Sequence, residues 1–171
     1  MKNIIMDEIA IKRAISRISN EIIEKNKGID NIILIGIIRR GENIANRIAK
    51  KIYEIENRKV KVYSIDITNF RDDLKIASRI NKINIDVGNK IVILIDDVLF
   101  TGRTVRAALD SILNMGRPKK IEYVVLVDRG HRELPIRADF VGKNLPTSLN
   151  EKVVVNIKET DGIDQVYIEK V

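Results

Sequence analysis

The stretch IVILIDDVLFTGRTVRAAL, residues 91–109, decides how the rest of the chain is read. It opens on a run of branched apolar residues, Ile91 to Ile95, of the kind that forms a strand buried on both faces of a parallel sheet. Two adjacent carboxylates, Asp96 and Asp97, end that run. A Thr101-Gly102-Arg103-Thr104 turn then leads into a helix predicted from about Arg103 to Asn114 and closed by Gly116 and Pro118. Free backbone N–H groups at a helix start, with the hydroxyls of Thr101 and Thr104, can cradle a phosphate dianion. Gly102 permits the backbone dihedrals and close approach that such a cradle needs. Asp96 and Asp97 can accept hydrogen bonds from sugar hydroxyls, which a bare phosphate site would not require. The plainer alternative makes the acids simple helix caps. The turn is not a Walker loop, because the Gly-Lys-Ser/Thr ending is missing, and it is not G-x-G-x-x-G.

Working outward, the pattern is strands alternating with helices. Residues 7–26 read as an amphipathic helix with Ile11, Ala14, Ile15, Ile18, Ile22 and Ile23 on one face. Strands are predicted at 31–38, 60–68, 90–95 and 121–127, with a second helix from about 42 to 55. Residues 69–89 read as a long loop or short hairpin, and 128–143 as a loop-rich insertion. Closing strands are predicted at 152–157 and 164–169. This order implies an α/β fold with a mostly parallel sheet flanked by helices, and one domain over residues 1–171. Ligands in such sheets sit beyond the carboxyl ends of the strands. The segments 39–41, 96–104 and 128–137 all leave strand ends.

Composition narrows the classes. The chain has 171 residues, 44% hydrophobic and 32% charged, which suits one soluble core. No apolar run approaches the roughly 20 residues of a membrane span, and Asp7 and Glu8 interrupt any signal-peptide core. There is no cysteine, so disulfides, thiolate metal sites and cysteine nucleophiles are excluded. A cytoplasmic setting fits all of this. The formal charge of +7 and pI near 9.6 call for an anionic partner or a basic face. With no Trp, four Tyr and three Phe, stacking of many bases is not the expected mode of nucleic-acid binding.

DDVLFTGRT, residues 96–104, resembles the phosphoribosyl-diphosphate (PRPP) motif of the type I phosphoribosyltransferases. The segments MDEIAIKRAISRI (6–18), SIDITNFRDDL (64–74) and VDRGHRELPIRADFVGKNLPTS (127–148) are similar to the bacterial bifunctional pyrimidine-operon attenuators with uracil phosphoribosyltransferase activity. The resemblance covers nearly the whole chain. It implies the type I phosphoribosyltransferase fold, with a small hood formed by the 128–143 insertion and the C-terminal strands. It implies conversion of uracil and PRPP to UMP and diphosphate, with Mg²⁺ bound mainly through PRPP and no metal ligand assigned to the chain. It implies UMP-stimulated binding to pyrimidine-operon leader mRNA that favours termination, in a homodimer or a higher homo-oligomer, with no membrane partner.

Residue by residue, the resemblance places Asp96 and Asp97 on the ribose hydroxyls. Val98, Leu99, Phe100, Thr101, Gly102, Arg103 and Thr104 fall around the 5-phosphate, and Arg39, Arg40 and Gly41 at the diphosphate. Arg71 and Arg40 become electrostatic aids to the leaving group, with Arg71 and Asp97 as the catalytic pair. Arg129, Gly130, Ile136 and Arg137 are placed at uracil, chiefly through backbone groups. Ser16, Arg17, Asn20, Lys25, His131, Arg137 and Lys143 are placed at RNA. His131, the sole histidine, is given no proton-transfer role. The chain departs from the family at Ile38-Arg39-Arg40-Gly41, where the family reads Lys-Thr-Arg-Gly, and in a shorter loop after Asp73. Slow turnover is therefore an expectation. The alternatives are a salvage enzyme without an RNA role and a nucleotide sensor without catalysis.

Overall fold

The computed structural model describes residues 2–67 and 84–171. Its elements are β1 (Asn3–Met6), α1 (Glu8–Lys25), β2 (Ile32–Ile37), α2 (Arg40–Glu56), β3 (Lys61–Ile65), β4 (Ile91–Leu99), α3 (Arg103–Met115), β5 (Lys120–Asp128), β6 (Phe140–Asn144), β7 (Glu151–Asn156), α4 (Lys158–Asp161) and β8 (Gln165–Lys170). Two sheets result: five strands in the order β3-β2-β4-β5-β6, and three in the order β1-β8-β7. The five-stranded sheet is parallel throughout. The small sheet is antiparallel.

The sequence of β4 explains its central position. Ile93 and Ile95 point into one core with Ile18, Ile22, Ile44, Ile48 and Ile52 of α1 and α2. Val92 and Leu94 point into the other, with Val105, Ala108 and Ile112 of α3. A side-chain period of two thus feeds two cores from one strand, which is why the run is apolar at every position. Each such Ile contributes roughly 1.5–3 kcal/mol on burial, well above a surface ion pair at about 0–1 kcal/mol. Helix α1 begins where expected, because Asp7 caps it by accepting from Ala10 N at 2.8 Å.

Several boundaries differ from the sequence reading. Strand β4 runs through the two carboxylates to Leu99, with Asp96 opposite Val125 and Val98 opposite Val127. Polar side chains do not stop a strand whose backbone still has a partner. Helix α2 starts at Arg40, so Arg40 and Gly41 form its first turn and not a loop. Gly41 is needed there: an added Cβ would lie 2.5 Å from Ile95 O. The expected 128–143 insertion is loop only as far as Asp139, since β6 adds a fifth strand to the main sheet. The small sheet contains the two C-terminal strands as expected. Its third strand is the N-terminal β1, too short and too near the chain start to stand out in sequence. Of the expected 69–89 loop, residues 84–89 are described and carry no helix or strand.

Candidate active site

The carboxyl ends of β2 and β4 meet the first turns of α2 and α3 around one cleft of about 280 Å³. Asp96, Asp97, Val98 and Thr104 line it on one side, and Arg39 and Arg40 on the other, with Ile37, Ile38, Asp66 and Ile67 completing the wall. Six of the residues assigned to PRPP from sequence are therefore together. Ile37, Ile38, Asp66 and Ile67 have no site role from sequence, although they sit at two predicted strand ends and Ile38, Asp66 and Ile67 lie within the family-like segments. Arg71 lies outside the described residues.

The two carboxylates sit in different environments. Asp96 is only 6% exposed, and burial, with Asp97 beside it, pushes its pKa well above the usual carboxylate range. Its Oδ1 accepts from Asp97 N at 2.8 Å. Asp97 is half-buried and lines the open cleft, and its Oδ1 accepts from Val98 N at 2.8 Å. One carboxyl is thus held dry and inward while the other stays available to a ligand. The Tyr123 hydroxyl, in the core on the α3 side, is buried without a hydrogen-bond partner among the described residues. Its pKa is raised by burial and by the nearby Asp96 and Asp97.

The turn after β4 leads directly into a helix N-terminus. Gly102 adopts φ +94°, and α3 starts at the next residue. Thr101 Oγ1 accepts from Arg103 N at 3.3 Å. Leu99 is buried at 1% exposure and its side chain belongs to the core, so it offers a ligand only backbone. Phe100 projects away from this turn: the Arg129 guanidinium stacks 3.8 Å from its ring centroid, and His131 meets it edge-on at 6.0 Å. The loop 129–136 is tied to the same turn. Arg129 N donates to Leu99 O at 3.1 Å, Glu133 N to Thr101 O at 2.8 Å, and Arg103 Nε to Glu133 at 2.8 Å.

Facing the carboxylates, Arg40 is held by a two-point ion pair with Asp161 of α4, at 3.0 and 2.9 Å. The pair raises the Arg40 pKa and holds the Asp161 carboxyl below its usual range. Arg47, further along α2, bonds both Glu159 and Asp164. Sequence reading has no signal for this brace, because a single arginine and a single aspartate 121 positions apart show no spacing. The peptide bond between Ile38 and Arg39 is cis.

The residues assigned to uracil divide. Arg129 is 7% exposed and its side chain donates to Thr147 Oγ1 and Glu151 O, so its charge serves the fold. Burial lowers its pKa. Gly130 takes φ +79° next to it, and Ile136 packs against the α3-side core. Arg137 is exposed.

The residues assigned to RNA divide too. Ser16, Arg17, Asn20 and Lys25 lie on α1, which packs beside β6, where Lys143 is exposed. Arg17 is not a free surface cation. It donates to Val141 O at 3.1 Å, Gly142 O at 2.7 Å and Glu21 at 2.9 Å, fastening α1 to β6. Asn20 donates to Ser16 O. Lys25 pairs with Asp139 at 3.2 Å and Glu122 at 3.5 Å; burial disfavours its charge, but these acids outweigh it and raise its pKa. His131 stands apart, beside Phe100, with Nε2 on Thr147 O at 2.5 Å.

Residues 3–158 match the phosphoribosyl transferase domain family. The chain is 57% identical over 171 residues to the bifunctional protein PyrR of Clostridioides difficile, across 97% of each chain. It is 52% identical over 177 residues to the protein of that name from Halalkalibacterium halodurans, covering 99% of this chain and 98% of the other. The chain belongs to the bifunctional PyrR family of phosphoribosyl transferases. In fold, this PyrR-family chain is similar to the hypoxanthine phosphoribosyltransferase of Trypanosoma cruzi, with TM-score 0.76, 18% identity and 98% and 96% of the two chains covered. It is also similar to a hypoxanthine-guanine phosphoribosyltransferase of Bacillus anthracis, with TM-score 0.75, 18% identity and 99% and 98% covered. Among the described residues of the PyrR-family chain, no helix is long and apolar enough to cross a membrane. Nor do three or more His, Asp or Glu gather there in a group that could hold a metal ion.

Proposed function

We propose that the cleft at the carboxyl end of the central sheet converts uracil and PRPP to UMP and diphosphate, and that UMP bound there promotes binding to pyrimidine-operon leader mRNA. The observation that carries the reading is the opposition of charge across one cleft: the open Asp97 carboxylate, beside Thr104 and the inward Asp96, on one wall, and Arg39 and Arg40 on the other. A ribose 5-phosphate bearing a diphosphate at C1′ fits that polarity. Thr101 to Thr104 and the start of α3 take the 5-phosphate, Asp97 accepts from a ribose hydroxyl, and Arg39 and Arg40 receive the diphosphate.

In the reaction the bond from C1′ to diphosphate breaks, a bond from C1′ to a uracil ring nitrogen forms, and that nitrogen's proton passes to diphosphate or solvent. Positive charge grows on the sugar and negative charge on the leaving group, so positioning and electrostatics matter more than a strong base. The residues fit Mg²⁺ carried by the substrate: one cleft-facing carboxylate, Asp97, can add to ligands that diphosphate already supplies. When bound, the ion neutralises the leaving group. The backbone of residues 129–137, anchored to the phosphate turn through Thr101 and Leu99, reads the base edge of uracil. Arg71 is assigned to the leaving group on the family resemblance alone. Residues 1–171 act as one domain in the cytoplasm, as a homodimer or higher assembly.

The test is a single preparation assayed twice. Uracil, PRPP and Mg²⁺ should give UMP, with hypoxanthine, guanine and adenine poor substitutes. RNA affinity for the leader hairpin should rise when UMP is added. A purine converted faster than uracil would overturn the base assignment, and RNA affinity indifferent to UMP would overturn the regulatory half.

A further inference from the structure

The strands of the central sheet also have amino ends, and the chain surrounds them with cations. Lys61 opens β3, Lys90 directly precedes β4, and Lys119 directly precedes β5. Backbone pairing fixes their neighbourhood: Lys119 N donates to Lys90 O at 2.8 Å, and Asn89 N to Arg117 O at 3.1 Å. A cavity of about 240 Å³ at this end is lined by Arg58, Lys59, Lys61 and Lys90, with Asp86 as the one acid among its described lining residues. That carboxylate accepts from Gly88 N.

Among the described residues, Lys59, Lys61, Lys90, Arg117 and Lys119 make no ion pair. The nearby Asp30 pairs with Arg58. This is the reverse of α1, whose Arg17 and Lys25 are both engaged by acids or carbonyls. Helix ends account for part of the pattern. Lys59 follows the carboxyl end of α2 and Arg117 that of α3, where cations offset the helix dipole. Lys61 and Lys90 do not directly follow a helix; they stand at the starts of strands. Lys61 and Lys119 sit at the outer members of the run β3-β2-β4-β5, about three strand spacings or 14 Å apart. At about 3.4 Å of rise per nucleotide this is roughly four phosphates.

The stripe also connects to the α1 face. The Glu122 carboxylate is buried at 4% exposure, with Lys120 Nζ 2.9 Å away on one oxygen and Lys25 Nζ 3.5 Å away on the other. The buried acid therefore links the start of β5 to the end of α1, with Lys120 and Lys25 sharing one carboxylate.

We propose that these cations, running from Lys61 through Lys90 to Lys119 and Lys120, form a second RNA-backbone contact that extends the α1–β6 face around the amino edge of the sheet. The inference rests on the RNA-binding reading above and adds to it a surface remote from the nucleotide. It takes the sugar-phosphate backbone flanking the recognised hairpin, without reading bases, because lysines at sheet ends offer point charges and no fixed donor pattern.

The experiment uses the full chain with saturating UMP and two labelled RNAs: a pyrimidine-operon leader hairpin with its flanking strands, and the same hairpin trimmed of them. The variant is Lys61→Gln/Lys90→Gln/Lys119→Gln, with the corresponding triple Lys→Arg variant as a charge control. Binding by wild type that rises with UMP establishes the underlying reading in the same titration. The triple Gln variant should then bind the long RNA on the order of ten-fold more weakly near 0.15 M salt. Its log affinity against log salt should be shallower by about 2, since each phosphate no longer neutralised removes about 0.7 from the slope. The Arg variant, UMP affinity, uracil conversion and binding of the trimmed hairpin should stay at wild-type values. An unchanged salt slope on the long RNA overturns the proposal, as does an equal loss on the trimmed hairpin. A change in sedimentation with RNA affinity untouched would assign the stripe to a protein contact and overturn it as well.

Discussion

The two ends of the central sheet treat charge in opposite ways. At the carboxyl end, charge is fixed: Arg40 is clamped by Asp161, Asp96 is buried beside Asp97, and Arg129 is engaged by Phe100, Thr147 and Glu151. At the amino end, Lys61, Lys90 and Lys119 make no ion pair among the described residues. The difference follows from strand direction. In a parallel sheet the carboxyl end receives helix N-termini, here those of α2 and α3, which present unsatisfied N–H groups and a positive dipole end. A small anion is bound best there in a pre-set geometry, and Arg40, braced by Asp161, is pre-set in this way. A flexible polymer at the other end needs charge density but not geometry, and lysines on flexible stems suffice. Fixed charge marks the end that discriminates ligands; free charge marks the end that attracts them.

The largest effect should come from one methyl group at the carboxyl end. In Gly41→Ala the new Cβ would meet Ile95 O at 2.5 Å, a backbone atom that cannot turn aside. Helix α2 must back away from β4, carrying Arg39 and Arg40 with it. We expect uracil conversion to fall by on the order of 100-fold, with about 1–3 kcal/mol lost in stability from overpacking. At the amino end, Gly88→Ala places its Cβ 3.4 Å from Asp86 Oδ1, an ordinary contact. That variant should match wild type in thermal melting and in turnover. Equal behaviour of the two alanines would break the contrast between a pre-set end and a tolerant one.

Next in size are the groups that touch the ligand. Asp97→Asn and Thr101→Ala should each weaken UMP and PRPP about ten-fold, the scale of a missing charged hydrogen bond at about 1.5–3 kcal/mol. Isothermal titration with UMP reads this directly, and melting curves should stay near wild type because neither side chain belongs to a core cluster. Unchanged affinity in both would remove the site from this cleft.

Smaller again is the clamp. Asp161→Asn keeps the shape but gives up the ionic hold on Arg40, and the Michaelis constant for PRPP should rise several-fold with a lesser change in turnover. The clamp also sets a pH dependence. The Asp161 carboxyl is depressed chiefly by its bonds to Arg40, and that of Glu159 by its bonds to Arg47. Groups depressed on folding add stability above their unfolded pKa values and lose it as pH falls through the folded ones. Wild type should therefore lose stability progressively below the ordinary carboxylate range, and Asp161→Asn should lose less over the same interval in denaturant titrations. Asp96 acts in the opposite sense. Its raised pKa makes its ionised form unfavourable to folding, so its contribution declines as pH rises above the unfolded value.

What could be read in the sequence was local and periodic. The five-residue apolar run before Asp96 announced β4, and Thr101 to Thr104 announced the turn with Gly102 at positive φ. Isoleucine spacing in α1 marked its buried face at Ile11, Ile15, Ile18 and Ile22. What could not be read was long-range. β6 has the pattern of an edge strand, with Gly142 and Lys143 inside it, and only the neighbouring β5 makes it a strand. Asp161 matters because α4 folds back onto α2, and nothing local marks it. Arg17 was legible as an exposed helical arginine, but its carbonyl partners lie more than a hundred residues away.

That arginine provides the smallest and most discriminating comparison. Read on its helix alone, Arg17 is a cation for RNA, and its removal should flatten the salt dependence of RNA binding as much as removal of a stripe lysine. In the folded chain its guanidinium already donates to Val141 O, Gly142 O and Glu21. The side chain remains 47% exposed, so these bonds compete with water and should contribute only about 0.5–1.5 kcal/mol in all. For a chain of this size, Arg17→Ala should lower the melting midpoint by about 2–4 °C. RNA affinity should fall two- to three-fold as β6 loosens and carries Lys143 with it, while the salt slope changes by less than for Lys90→Gln measured alongside. Arg17→Lys separates the two roles, because it keeps the charge and cannot span both carbonyls. If bracing is the role, the Arg17→Lys variant should melt like the alanine variant. If Arg17 instead meets phosphate directly, Arg17→Lys should bind RNA like wild type and Arg17→Ala should forfeit the full slope of one phosphate, with both melting at the wild-type temperature.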